Sequence, residues 1–397
     1  MRHSIAVKQA SRGDHSSPGS TLSQPLQDLI RTTCERAWAR ASQRFIPIGA
    51  AEYIAPAGWN GPYFDLESPI RNTSHWAVVG AVLCAIHGKE SSIASITGRL
   101  LAYLSGGCER VGWSPVWQRS APGKDRSNGV IGLAWLLEAL YTASMLDVSR
   151  NEATEYAVYV VDQYLSYVAS LGLWAVRDTQ DGRYKLDYTF NHQAWLAASI
   201  AELSVDHPRW RQLAGGFLDA CADGVFATNS SGLIKHVAQA KTPRGVALSL
   251  RHEALKRRNS GVHIAEREDG YHLYNLFAFA RLRECFPAHR FFRSDQFLAA
   301  CALVDEKWLR KLDHNRYSMP YNAPGYELPL IFRALSDLMP ISESAVIDAV
   351  ERQDRFVSGA ASSELPAITD PLVLEARTYE LALALRPRVM HEDVPSR

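Results

Sequence analysis

From Leu22 onward, apolar residues recur at spacings of three and four, the mark of helices that bury one face. The first run places Leu26, Leu29, Ile30, Cys34 and Trp38 on one side, behind Ser23 as a capping residue. Ser74 precedes the apolar stretch from His75 to Ile86, Ser91 opens a run that stops near Gly106-Gly107, and Ser127 opens Asn128 to Leu146. Residues 152–170, 191–204, 209–226, 271–286, 295–311, 328–338, 343–354 and 373–386 follow the same rule, with Ser or Asp before them and Gly or Pro after. Period-two alternation never lasts more than a few residues, so strands are not expected as major elements.

Several of these helices are apolar nearly all round, as in Val78–Ile86 and Leu133–Leu140. A helix with no polar face needs neighbours on both sides. About twelve such helices, counted from the spacing pattern, predict an all-α chain folded as two concentric layers, a complete or incomplete α/α toroid. A helical solenoid would need a fixed-length repeat, and none is visible. The toroid is expected to span residues 22–397 as one catalytic domain. Residues 1–21, rich in Ser, Gly, Arg and His, read as a disordered tail.

Composition narrows the function classes. A 47% hydrophobic content fills a large core, and 43 Lys+Arg against 42 Asp+Glu leave no broad positive field for nucleic acid. The run Lys256, Arg257, Arg258 reads as a solvated face. Cys34, Cys84, Cys108, Cys221, Cys285 and Cys301 are widely spread with no CxxC pair, which fits reduced, buried thiols. No apolar signal region or membrane-length run appears, so the expectation is a cytoplasmic protein with no membrane partner.

The connections between helices carry the chemistry. Segments 53–74, 106–127, 177–191, 229–269 and 313–327 are rich in Gly, Pro, aromatic and charged residues, and in a toroid alternate connections meet at one mouth. Five clusters stand out where these connections meet helices: Tyr63–Trp76 holds Glu67, Arg71 and His75, and Lys124–Gly129 holds Asp125, Arg126 and Asn128. The third, Asp187–Trp195, contains Asp187, Asn191, His192 and Trp195; the fourth, Glu266–Leu276, Arg267, Glu268, His272 and Tyr274; the fifth, Tyr317–Glu327, Tyr321 and Glu327. Asp, Ser and Asn at helix starts cap more often than they catalyse. Five such clusters at the ends of one helical array exceed what capping needs. Aromatics near these loops, such as Trp59, Tyr63, Trp113, Trp117 and Trp195, suit a saccharide partner, whose C–H faces pack on rings.

The third and fourth segments point to a reaction. Cleaving a uronate linkage by β-elimination requires neutralising the carboxylate, removing the neighbouring C–H proton and protonating the departing oxygen. Asn191 and Arg267 can supply the first, and His192 and Tyr274 the base and the acid. These segments resemble the alginate-lyase branch of the α/α-toroid polysaccharide lyases. That branch has an Asn-His pair opening a helix with an aromatic shortly after, here Asn191-His192 and Trp195. It also has an Arg seven residues before the second Tyr of Tyr-His-x-Tyr-x-Leu, here Arg267 and Tyr271-His272-Leu273-Tyr274-Asn275-Leu276. The resemblance implies that Asn191 and Arg267 bind the carboxylate while His192 and Tyr274 move protons.

Two features pull the other way. Segment 193–266 is long for that branch, and Glu266, Glu268 and Asp269 flank Arg267 and would oppose its charge. Carboxylates serve a glycoside hydrolase, which needs two acids across the scissile bond, and Asp125, Asp187, Glu266, Glu268, Asp269 and Glu327 are candidates. A non-catalytic glycan-binding protein is the third class. Glu268 and His272 lie four apart, and His236, His252 and His263 sit nearby, but no HExxH or clustered Cys/His spacing argues for a metal. No glycine-rich phosphate loop follows a strand, so no nucleotide cofactor is expected.

Overall fold

The structure is a computed structural model describing residues 21–88, 91–146, 150–204, 207–239, 242–258, 262–359 and 369–387. The tail expected at residues 1–21 falls, save its last residue, outside the described residues. So do the side chains of Lys256, Arg257, Arg258, His252 and His263.

Six helices pack side by side into a closed inner ring: Pro69–His87, Ile131–Met145, Phe190–Leu203, His272–Cys285, Pro324–Leu335 and Thr378–Leu383, the last returning to the first. Their sequences explain the position. Ile131–Met145 is buried continuously from Ile131 to Ala143, and His272–Cys285 buries all but Glu284, so neither has a face for water. Amphipathic helices form the outer layer. Ser92–Ala102, Arg150–Tyr164, Pro208–Ala220 and Glu343–Val357 each lie against the inner helix that precedes them. Asp295–Ala302 backs His272–Cys285 through Phe297 on Phe279 (ring centroids 5.5 Å). Gln24–Ser42 completes the layer by packing on the last inner helix and on the first. The architecture is an α/α toroid.

Inner and outer helices joined by short turns run in opposite senses. The five inner helices that turn directly into an outer helix therefore run the same way, and Arg377 at the start of the sixth lies at the same mouth as their first turns. Their N-termini gather at one mouth, and the long connections arrive there.

Several elements differ from the sequence expectation. The helix expected at 152–170 ends at Tyr164, and Leu165–Val168 pairs antiparallel with Leu173–Arg177, which pairs with Tyr184–Leu186. Runs this short show no period, and Gly172 at φ +65° makes the turn. Two hairpins, Ile46–Ile48 with Glu52–Ile54 and Trp59–Asn60 with Asp65–Leu66, escape the sequence for the same reason. The helix expected from Ser74 begins at Pro69, since proline is well suited to a first turn. The one expected from Asn128 begins at Ile131, because Asn128 (φ 56°) and Gly129 (φ +65°) are left-handed. Segment 295–311 breaks after Ala302, and Asp305 caps Glu306–Leu312 by accepting from the Trp308 amide at 2.7 Å. Helix 209–226 loosens after Ala220, where Gly224 takes φ +111°. Segment 373–386 divides into Pro371–Ala376 and Thr378–Leu383, and 328–338 starts earlier, at Pro324. Segment 229–269 contains two helices, Pro243–Arg258 and Val262–Gly270. All six cysteines are buried and free. Among the described residues no helix is long and apolar enough to cross a membrane.

Charges are buried along the ring's interior. Arg281 pairs with Glu138 (2.8 Å) and Glu202 (2.7 Å), and Arg386 reaches Glu202 at 2.5 Å, all at most 1% exposed. Burial raises the Glu202 carboxyl, but Arg281 and Arg386 outweigh it and hold it at about 2. Its contribution to stability is thus complete above its ordinary value of 4.5 and is lost as pH falls through about 2. Arg281→Met would strand Glu138 and leave Glu202 to Arg386 alone, at a cost of about 3–5 kcal/mol. Urea unfolding measures it, and a loss below about 1 kcal/mol, the scale of a surface pair, would show that the network is not needed.

Candidate active site

The mouth opens into a cavity of about 330 Å³. Every inner helix contributes to it from its first turns or the residues just before: Arg71, Trp135, Asn191 and His192, Tyr274, Asn322, and Arg377. Five of these helices have 12 residues or more. Their N-terminal dipoles favour negative charge. Five lining cations, Arg71, Arg119, Lys124, Arg267 and Arg377, outnumber the two lining carboxylates, Asp65 and Glu67.

His192 is the best-built group. The strand Tyr184–Leu186 delivers Asp187, whose carbonyl accepts from the Gln193 side chain at 2.6 Å. Gln193 also bonds both backbone groups of Trp174, at 2.8 Å each, and so ties the small sheet to the helix. Asp187 Oδ2 accepts from His192 Nδ1 at 2.7 Å and from the Val130 amide at 3.0 Å. Burial raises the Asp187 carboxyl, but His192 and the Thr189 and Val130 amides outweigh it, leaving it below the ordinary carboxylate value. An ionised Asp187 fixes the tautomer with the proton on Nδ1 and leaves Nε2 as a base. Gly129 makes room: a Cβ there would lie 1.9 Å from Asp187 Oδ2 and 2.9 Å from His192 Nδ1.

Tyr274 is 2% exposed, its ring stacked on Trp195 with centroids 4.5 Å apart. Its hydroxyl oxygen accepts from Trp135 Nε1 at 3.3 Å, so its own O–H remains available to donate. Burial pushes the phenol far above its ordinary value, and Arg377, 5.0 Å from the ring, does not reverse this. Tyr274 therefore stays protonated. Asn191 is 2% exposed and its Oδ1 has no protein partner. Glu67 pairs with Arg71, which lies 4.4 Å over Trp135; burial holds the Glu67 carboxyl above its ordinary value even against Arg71.

The residues read from sequence thus divide. His192, Tyr274, Asn191, Arg267, Glu67, Arg71, Asn128 and Tyr321 line one cavity. The others lie behind or beside it. His75 is buried in its helix and stacked on Tyr379 at 4.0 Å. Trp195 supports Tyr274 and donates to its carbonyl at 3.0 Å. His272 accepts from the Ile234 amide (3.3 Å) and binds the Ala300 carbonyl (2.9 Å). Glu327 pairs with Arg377 at 3.3 Å beneath the cavity floor. Asp125 holds the 127–129 turn by accepting from Ser127 (2.9 Å) and the Gly129 amide (3.0 Å), and Arg126 stacks on Trp117 at 3.7 Å. Glu268 is buried away from the lining. Glu266 faces Arg316 at 3.5 Å, and Asp269 accepts from Trp308 at 3.2 Å.

Sequence reading missed Asn60, Asp65, Arg119, Lys124, Thr189, His236, Tyr271, Asn322 and Arg377 as lining residues. Arg377 had one visible signal, since it and Glu380 are charges inside an otherwise apolar helical run. Among the described residues no group of three or more His, Cys, Asp or Glu is placed to hold a metal.

The fold and mouth are those of the α/α-toroid proteins. Solved structures sharing it include a family 76 glycoside hydrolase from a bovine Bacteroides thetaiotaomicron strain (TM-score 0.54, 9% identity, 91% of this chain and 78% of that one). An unsaturated glucuronyl hydrolase specific for heparin gives a TM-score of 0.51 at 12% identity, covering 91% and 97%. Cellobiose 2-epimerase from Bacillus thermoamylovorans B4167 gives 0.51 at 10% identity, covering 91% and 98%. At such identities the likeness is one of fold. No family model matches the chain. Archaeal glycosylation protein Q of Haloferax volcanii is 31% identical over 314 residues, 75% of this chain and 83% of the relative, and the chain belongs to that protein's family.

Gly129→Ala should break the Asp187–His192 contact and cost more than the roughly 1 kcal/mol of a positive-φ glycine alone. Gly182→Ala is the matched control, with φ +71° and nothing within 4 Å. Chemical denaturation of both compares them, and equal losses would show that the dyad does not depend on the missing side chain.

Proposed function

We propose that residues 22–397 act as one catalytic domain that cleaves a uronate-bearing saccharide by β-elimination. The observation that carries this reading is the convergence of Asn191, His192, Arg267 and Tyr274 on a single cation-rich cavity. The family relationship to a glycosylation protein and the carbohydrate-active neighbours of the same fold support a glycan substrate.

The roles follow from the environments. Arg267 and the Asn191 amide neutralise the carboxylate, so that charge developing on it during proton loss is stabilised. His192 Nε2 takes the proton from the carbon beside the carboxylate, with Asp187 stabilising the imidazolium that forms. Tyr274 donates its proton to the departing sugar oxygen. A phenol held this strongly protonated gives up its proton only to a strongly basic oxygen, and a leaving alkoxide is one. The lyase likeness of the two short motifs fits this division.

A hydrolase is the second reading, and one observation favours it: Glu67 lines the cavity with its carboxyl raised by burial, as a general acid needs. None of Asp125, Asp187, Glu266, Glu268, Asp269 and Glu327 is in the lining, and Asp65 is tied to Arg119 (3.1 Å) and Lys124. That leaves Glu67 short of a free carboxylate partner, and elimination fits better.

Incubation with uronate oligosaccharides in ¹⁸O-water should give an ultraviolet-absorbing unsaturated product with no solvent label. Label in a saturated product would establish hydrolysis. His192→Ala and Tyr274→Phe should each abolish turnover with circular dichroism unchanged. Asp187→Asn should lower kcat by a factor on the order of 10²–10⁴, the scale of losing the base's orienting partner. Full activity in any of the three would remove that residue from the mechanism.

A further inference from the structure

The rim of the cavity is a closed ring of contacts, and this bears on how a chain can enter. Ser68 N–H donates to the Gln118 carbonyl (2.9 Å) and Ser120 N–H to the Leu66 carbonyl (2.8 Å), joining the 59–68 hairpin to the 118–126 loop. That loop continues to Val130, whose amide binds Asp187 (3.0 Å). Phe190 N–H donates to the His236 carbonyl (2.8 Å), and Ala238 N–H to the Tyr188 carbonyl (2.9 Å), adding the 229–239 segment. His236 packs on Tyr271 with ring centroids 5.6 Å apart. Asn322 donates to the Gly270 carbonyl (3.1 Å) and Asn315 to the Glu266 carbonyl (2.7 Å), bringing in the 313–323 loop. Tyr63 then closes the circle. Its ring meets Tyr317 (6.0 Å) and Tyr321 (5.9 Å), and its hydroxyl accepts from Tyr271 at 3.4 Å.

Below the rim, Trp135, Tyr274 and Arg377, each at most 3% exposed, close the floor. A polymer cleaved within its length must leave the site in two directions, which requires a groove open at both ends. Here the loop contacts run unbroken around the cavity. The volume of about 330 Å³ sits at the low end of the roughly 300–1,000 Å³ of small-ligand pockets. It has room for an end unit and none for a chain threaded past it.

We infer that the protein acts at the ends of saccharide chains and not inside them, with Tyr63 as the residue that closes the wall between the 59–68 hairpin and the 313–323 loop. This rests on the cavity being the substrate site, as proposed above. Tyr63 is a specificity-determining residue, distinct from the groups that move protons. Tyr63 is partly exposed and bridges the hairpin to Tyr271 and to the 313–323 loop; it also hydrogen-bonds Arg267, so a change in affinity is expected beside the change in cutting position.

The test uses size-defined uronate oligomers, free-ended or capped at one terminus or the other, with product sizes followed over time. The wild-type protein should shorten each oligomer stepwise from one end, and capping that end should slow it more than 100-fold. Tyr63→Ala should release fragments from internal cuts. Internal fragments from the wild-type protein at the earliest times, or capped chains cleaved within about twofold of free ones, would overturn end-directed action while leaving elimination intact. Strictly end-directed products from Tyr63→Ala would overturn the assignment of Tyr63. Absence of any turnover would count against the reaction and leave chain-end recognition to the same oligomers in a thermal-unfolding assay. There, free ends should stabilise the protein and capped ends should not; equal stabilisation by both would overturn the inference.

Discussion

The parallel sense of six inner helices is the constraint from which the rest of the structure follows. Each of the first five runs through a short connection into its outer helix, so none of these can reverse without breaking the ring, and the sixth closes the ring beside the first. Their N-termini, with unpaired amides and positive dipole ends, must therefore meet at one mouth. A mouth polarised in this way favours an anion. The lining adds five cations against two carboxylates, with Arg377 held further by Glu327 and Glu380 and Arg119 by Asp125. The same ring must also tolerate charge inside. Glu138, Glu202, Arg281 and Arg386 form a compensated cluster in its interior, where an unpaired member would cost several kcal/mol.

The reactive pair depends on backbone as much as on side chains. Asp187 is fixed by the small sheet and Gln193, and Gly129 leaves the space into which Asp187 and His192 fit. A left-handed Asn128-Gly129 turn serves two purposes: it places Asn128 in the lining and stops the helix from starting early enough to fill the dyad's space. Trp195 and Trp135 hold Tyr274 in the cavity lining by stacking and by one hydrogen bond. In the proposed elimination, an ionised Asp187 beside His192 and a Tyr274 kept neutral by burial would be the two environments that let one site run both halves of a proton transfer.

Much of this was legible in the sequence because it is local. The spacing that marks apolar helices also located the toroid, and Asn191-His192 and Arg267 with Tyr274 announced themselves as polar groups at helix starts. The motif could not tell which neighbours face the cavity. Trp195 and His272 sit within four residues of lining groups yet turn into the packing, since a helix presents only one side to the mouth. His75 and Glu327 are buried for the same reason. Conversely, Arg377, His236 and Lys124 come from distant parts of the chain, and no local pattern joins them; only closure of the ring does. Asp269, two residues from Arg267, accepts from Trp308, a partner that no sequence adjacency announces. Short strands such as Leu165–Val168 were invisible because pairing partners, not periodicity, make them.

The central claim is that this mouth selects a carboxylate. Calorimetric titration with one uronate oligosaccharide and with its carboxyl-reduced, neutral counterpart tests it most directly. The acidic form should bind at least tenfold more tightly, about 1.4 kcal/mol, with the advantage shrinking as salt is raised. Equal affinity for the two, or preference for the neutral sugar, would contradict it.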